Sequence, residues 1–255
     1  MTIPILGILG VGHLATYTVT GLRNGGDQRR IILSPRNAAA ASRLAGQCRC
    51  EVAGSNQEVV EGSDIILLAV RPKSLSELLQ DLTFKPGQLV MSAMAGVSLQ
   101  QLRQHPALQA TTLVRVLPPA SVEVGAGPVP LFPANAAAEA LFGAMGKVIV
   151  LESEALFDVA LAHGCLHGWS YFLVQQLIDW SVAQGMSQHA ARQMVVHSIT
   201  SAMALAESRP ELDYGDIGNS IATPGTFTLK GLEHIKANNG LQAWCDAMDA
   251  VSKGK

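Results

Sequence analysis

An apolar run from Ile3 to Leu9 stops at Gly10-Val11-Gly12, and a helix-compatible segment, Leu14 to Leu22, follows at once. Strand, glycine turn and helix in that order constrain the first half of the chain more than any other feature. Glycine lets a backbone approach a pyrophosphate closely, and a helix N-terminus offers free N–H groups and the favourable end of its dipole. A bare Gly-x-Gly is a weak signal. Its position directly after a buried-type strand strengthens it. A tight strand-to-helix turn with no ligand is the other reading, and the context favours a dinucleotide.

The next apolar run, Ile31-Ile32-Leu33, leads into Ser34-Pro35-Arg36-Asn37. In NAD sites an acid at the end of this strand holds the ribose 2′-hydroxyl. No Asp or Glu lies between Asp27 and Glu51. Ser34 can hydrogen-bond a 2′-phosphate, and Arg36 offers it a planar donor fork. A polar loop with an incidental arginine would read the same way, but the missing acid and the nearby arginine together favour NADP over NAD.

The 255 residues allow one large or two modest domains, and with 48% hydrophobic residues there is ample material for a core. Charged residues make up only 15%, which points to surface buried between subunits. A net charge of −2 without a basic stripe argues against nucleic acid as a partner. Met1-Thr2-Ile3-Pro4 lacks the charged start of a signal peptide, and no apolar run reaches membrane-spanning length. Cys48, Cys50, Cys165 and Cys245 show no metal-ligand spacing and suit a reducing, cytoplasmic setting.

Strand and helix signals alternate as far as Lys147-Val148-Ile149-Val150, which reads as the last strand. Helices are expected over Ala38 to Gly46, Val59 to Gly62, Leu75 to Leu82 and Ser98 to Arg103. Strands are expected over Asp64 to Val70, Leu89 to Ser92 and Thr112 to Val116. Alternation of this kind implies an α/β fold, a parallel sheet with helices on both faces. From Glu152 the pattern turns helical, through Trp180, over Ala190 to Leu205, and at Trp244, Met248 and Val251. A boundary near residue 150 therefore divides a nucleotide-binding domain, 1–150, from a helical domain, 151–255.

Five segments carry a specific resemblance. Gly10 to Leu14 is one, and Asn56 to Pro72, with its strand ending Ala69-Val70-Arg71-Pro72, is another. Met91 to Ser98, Val114-Arg115-Val116-Leu117-Pro118, and Thr223-Pro224-Gly225-Thr226-Phe227-Thr228-Leu229-Lys230-Gly231-Leu232 complete the set. In order and spacing they resemble the pyrroline-5-carboxylate reductase family. The resemblance implies an N-terminal Rossmann-type doubly wound sheet and a C-terminal all-helical domain that dimerises by interlocking. It implies cofactor contacts at Gly10, Gly12, His13, Leu14, Ser34, Arg36, Asn56, Ala69, Val70, Arg71 and Ala95, with Arg71 where the family usually has Lys. Thr228 matches the family threonine beside the imine. Thr223, Gly225, Thr226 and Phe227 fall in the loop that holds the substrate carboxylate.

The chain departs from the family pattern on the substrate side. Pro119 replaces an amide, Thr226 and Phe227 replace a glycine and a small residue, and His163 to Tyr171 replaces a Ser-Gly-rich stretch. His163 and His167 are four apart and could pair on zinc, but no third ligand has suitable spacing, so no metal is expected. Glu207 resembles an acid that the family places near its substrate amine, and a solvated helix-end charge fits as well. Glu154 and Asp158 read as a solvent-facing helical pair.

The resemblance implies an enzyme that reduces the C=N bond of a cyclic imine with NADPH, first of all 1-pyrroline-5-carboxylate to L-proline. The alternatives are a relative acting on a different imine and a catalytically silent NADP-binding protein. A homodimer or larger homo-oligomer is expected.

Overall fold

The computed structural model describes residues 3–252. Its first part runs β1 (Leu6–Leu9), α1 (His13–Asn24), β2 (Ile31–Leu33), α2 (Ala38–Cys48), β3 (Glu51–Val52), α3 (Asn56–Glu61), β4 (Ile65–Leu68) and α4 (Leu75–Leu79). It continues with β5 (Leu89–Ser92), α5 (Leu99–Arg103), β6 (Thr112–Val116), β7 (Pro128–Phe132), α6 (Ala136–Gly143) and β8 (Lys147–Val150). The eight strands form one sheet in the order β3-β2-β1-β4-β5-β6-β7-β8. All neighbours are parallel except β6 and β7.

The strands β1, β2, β4 and β5 are continuous, mainly apolar runs, buried throughout because both sheet faces are covered there, and side chains alternate between the two. Leu6, Ile8, Ile31, Leu33, Ile65 and Leu67 pack with Leu22 of α1, Leu44 of α2 and Phe142 of α6. Leu9, Ile32, Ile66, Leu68 and Val90 pack with Val59 of α3, Leu78 of α4 and Leu102 of α5. The expected α/β fold with a doubly wound, Rossmann-type sheet is present. Its strand order reverses between β1 and β4, where such sheets bind ligands.

Two strands escaped the sequence reading. β3 is only two residues long. β7 contains Pro128 and Pro130, which lack an N–H for a ladder and read against a strand. Pro130 contributes its carbonyl instead, accepting the Leu117 N–H at 3.1 Å, while Val129 and Leu131 are buried. The alanine-rich stretch before β8 becomes α6 because Asn135 caps it, its Oδ1 accepting the N–H groups of Ala137 and Ala138 at 3.1 Å.

The chain divides into compact units of residues 1–161 and 162–255, the division falling inside α7 (Leu156–Ala183). The expected boundary near residue 150 falls at the end of β8. At the start of α7, Glu154 is not the solvent-facing charge that its helical spacing implied. Its Oε1 accepts from Arg115 Nη1 at 2.9 Å and from the Leu99 N–H at 2.6 Å. Arg115 is buried and its guanidinium lies 4.2 Å from the centroid of the buried Phe157 ring. A buried arginine needs a countercharge, and Glu154 is in reach.

The second unit is helical throughout: the rest of α7, α8 (Gln188–Glu207), α9 (Tyr214–Ile221), α10 (Phe227–Ala237) and α11 (Gly240–Ser252). Ile178, Ala191, Ala206 and Ile217 are buried, whereas Tyr171, Phe172, Trp180, Met194 and Tyr214 stand exposed. Among the described residues, no helix is long and apolar enough to cross a membrane.

Candidate active site

The turn after β1 is built so that only glycine fits at its first position. Gly10 has φ +100°, and a Cβ there would lie 2.6 Å from Val70 Cγ1 and 2.7 Å from the Ala69 carbonyl oxygen. Ala69 and Val70 follow β4, so Gly10 is pressed against the strand end across the switch point. Gly12 differs. A Cβ on it would meet no atom of the chain within 4 Å, and its φ of −122° suits any residue. The protein's own packing does not require glycine at 12, whereas a ligand in close approach would. Gly12 also precedes α1 without a side-chain cap or an acid in the first turn, which leaves the helix N–H groups open to an anion.

The loop after β2 holds this turn from below. Ser34 is buried and its Oγ accepts the Gly10 N–H at 3.0 Å. Asn37 caps α2 and donates from Nδ2 to the Val11 carbonyl at 2.9 Å. Of the two expected 2′-phosphate donors, Ser34 is therefore engaged with the turn, and only Arg36 faces solvent. Asn37 was missed as a site residue, although an asparagine just before an alanine run is a readable cap signal.

Arg36 lines a cleft of about 290 Å³ with Pro35, Ser55, Asn56, Glu77 and Leu78. Asn56 is the first residue of α3 and lines the cleft, and its buried Oδ1 has no hydrogen-bond partner. Glu77 of α4 also escaped the sequence reading. It is distant in sequence from the glycine turn, yet both its carboxylate oxygens lie within 3.3 Å of Arg36 Nη2. His13 and Leu14 open α1, and Arg71 and Ala95 are exposed beyond β4 and β5. An open glycine cradle, an uncapped helix start, an orphan acceptor and a solvent-facing arginine fit a phosphorylated dinucleotide.

In the second unit, Gly225 turns the chain at φ +84° into α10. Thr226 caps the helix: its Oγ1 donates to the Thr223 carbonyl at 2.7 Å and accepts the Leu229 N–H at 3.1 Å. The N–H groups of Phe227 and Thr228 sit in the first turn, where no helical carbonyl precedes them. Thr228 is exposed, and Phe227 is 93% exposed. His167 Nε2 pairs with the Tyr171 hydroxyl at 3.1 Å on α7, and Glu207 is exposed at the end of α8. No group of three His, Cys, Asp or Glu side chains that could hold a metal occurs among the described residues.

The doubly wound sheet with an open turn at its switch point is a dinucleotide-binding architecture, and the comparisons with known proteins make the chain an NADP-dependent oxidoreductase. A family described as NADP oxidoreductase coenzyme F420-dependent matches residues 5–96, and one described as pyrroline-5-carboxylate reductase dimerisation matches residues 154–255. Along its whole length the chain is similar to the pyrroline-5-carboxylate reductase family. It is 27% identical to a pyrroline-5-carboxylate reductase of Pseudomonas aeruginosa, over 99% of this chain and 96% of that one. A Synechocystis protein of the same name is 26% identical over 96% and 95% of the two chains. Among solved structures, the 1-pyrroline-5-carboxylate reductase of Streptococcus pyogenes superposes with a TM-score of 0.86 at 22% identity, covering 98% of this chain and 97% of that one. The pyrroline carboxylate reductase of Plasmodium falciparum, solved with NADP bound, gives 0.87 at 20% identity over 100% and 97%.

Proposed function

We propose that this chain reduces 1-pyrroline-5-carboxylate to L-proline with NADPH. The observation that carries the reading is the entry to α10. There a glycine turn and a threonine cap leave two backbone N–H groups open, with the Thr228 hydroxyl beside them. A helix start of that kind holds a carboxylate, and the names of the whole-chain relatives support this substrate.

NADPH, when bound, supplies the hydride. The chain's part is to bind, orient and hydrogen-bond. Residues 1–150 take the cofactor: the Gly10–Leu14 turn at the pyrophosphate, Arg36 at the 2′-phosphate, Asn56 at the ribose, and Ala69, Val70, Arg71 and Ala95 along the strand ends. Ser34 acts by fixing Gly10. Residues 151–255 carry the substrate loop, in which the open N–H groups of Phe227 and Thr228 hold the carboxylate and the Thr228 hydroxyl accepts the N–H of the protonated imine. An imine is more electrophilic when protonated in solution, so the protein needs no strong acid of its own. Orientation accounts for the rest of the acceleration.

The exposed aromatic and apolar side chains of α7 and α8 support a homodimer that covers them, and the free cysteines are in keeping with a cytoplasmic setting. A second reading, a different cyclic imine as substrate, is favoured by Phe227, a bulky ring beside Thr228 where the family has a small residue. The test is NADPH consumption over a panel of cyclic imines with and without carboxylates. Turnover of 1-pyrroline-5-carboxylate is expected, and no substrate-dependent oxidation with any imine would leave the silent NADP-binding protein instead.

A further inference from the structure

The acid that the sequence lacks after β2 is present in space. Glu77 comes from α4, far along the chain, and its carboxylate lies 3.1 Å from Arg36 in the cleft that also contains Asn56. We propose that Glu77 is a cofactor-selectivity residue, one that holds down the preference for NADPH and gives NADH a usable binding mode. This rests on the reading of the cleft as the adenosine end of the cofactor site.

The argument is electrostatic. With its ribose in this cleft, NADPH brings a phosphate of roughly −1.5 to −2 charge to Arg36. That phosphate must take the guanidinium from Glu77 and then sit beside a second anion. Like charges brought together in an interface are costly, which works against NADPH. NADH brings only a hydroxyl, and a carboxylate is the acceptor that ribose hydroxyls find in NAD sites. Arg36 and Glu77 thus pull in opposite directions. Both side chains are more than half exposed, so water and salt soften the contest. The outcome is a shifted ratio of affinities, not an absolute choice.

The experiment is a titration of NADPH and of NADH into the full-length protein, wild type, Glu77→Gln and Arg36→Ala. Glu77→Gln keeps the size and hydrogen-bonding reach of the side chain and removes its charge. It should tighten NADPH by about 3- to 10-fold and leave NADH unchanged or weaker, widening the preference. Arg36→Ala should weaken NADPH more than NADH. If Glu77→Gln shifts both cofactors equally, or neither, while Arg36→Ala acts on NADPH alone, the role of Glu77 is overturned and the cofactor reading stands. If Arg36→Ala leaves NADPH affinity untouched, the 2′-phosphate is not held in this cleft, and both fall together.

Discussion

Glu154 neutralises Arg115 and at the same time accepts the backbone N–H of Leu99, using one carboxylate oxygen for both. Leu99 is the first residue of α5, which begins just after the Ala95–Ser98 turn. One side chain thereby ties the end of β6, the start of α7 and the segment that follows β5. Glu154→Gln leaves a buried guanidinium without a countercharge, and breaking such a pair is strongly destabilising. Because Glu154 keeps some contact with water, a loss of about 2–3 kcal/mol is expected, just below the roughly 3–5 kcal/mol of fully buried pairs. Denaturant unfolding should show it, together with a melting temperature lowered by roughly 4–12 °C. An unchanged melting temperature would mean that the carboxylate is not needed there.

The two turn glycines should separate stability from binding. Gly10→Ala drives a Cβ into the Ala69 carbonyl at a positive φ, so it should lower stability by about 1–3 kcal/mol. Gly12→Ala meets nothing in the protein and should melt as the wild type does, yet bind NADPH about tenfold or more weakly, a loss of roughly 1.4 kcal/mol or more. Calorimetric melting with and without cofactor compares the pair. Undiminished NADPH binding by Gly12→Ala would argue that no pyrophosphate comes near the turn.

Removing the hydroxyl of Thr228 should reduce kcat on the order of 10- to 100-fold, about 1.4–2.8 kcal/mol of transition-state stabilisation, with NADPH affinity nearly unchanged. Thr228→Ser should retain most activity. Steady-state kinetics of the two variants decides the matter, and a fully active Thr228→Ala would remove Thr228 from the catalytic assignment.

Phe227→Thr restores a small polar residue next to Thr228. If the ring shapes the substrate space, kcat/KM for 1-pyrroline-5-carboxylate should rise several-fold, while that for any bulkier imine accepted by the wild type should fall. Parallel shifts on all substrates would show that the ring has no part in selection.

Burial pushes the Cys50 thiol up to about 11, with Arg23 opposing the shift only partly. At pH 8 very little thiolate is present, and the thiolate is the reactive form. Native protein should therefore resist alkylation at Cys50 at pH 8, react faster as the pH approaches 11, and label readily once unfolded. Peptide mass mapping after timed exposure to iodoacetamide follows this directly.

Six of the eight strands were legible because each is a short, mainly apolar run set off by glycine, proline or a polar cluster, as at Ile31-Ile32-Leu33 before Ser34-Pro35. Some helices with a side-chain cap, such as α5 behind Ser98, announced themselves too, whereas α6 behind Asn135 did not. β7 was not legible, since its alternate prolines violate the local rule and only the neighbouring strands make the run regular. Glu154 was misread for a related reason: helical spacing places a residue on a face but says nothing about what covers that face. Within the candidate site, Gly10 and Arg36 could be found from local order alone. Glu77 could not, because its relation to Arg36 exists only once α4 has packed beside the β2–α2 loop.

Ser34 and Asn37 bracket Arg36 in that same loop, and both are fastened to the glycine turn, one to Gly10 and the other to Val11. The loop that would be exchanged to redesign cofactor preference is therefore also the foundation of the glycine turn. Grafting a whole NAD-type loop would discard two struts along with one charge. Redesign should proceed by single replacements at Arg36, with Ser34 and Asn37 kept as fixed points.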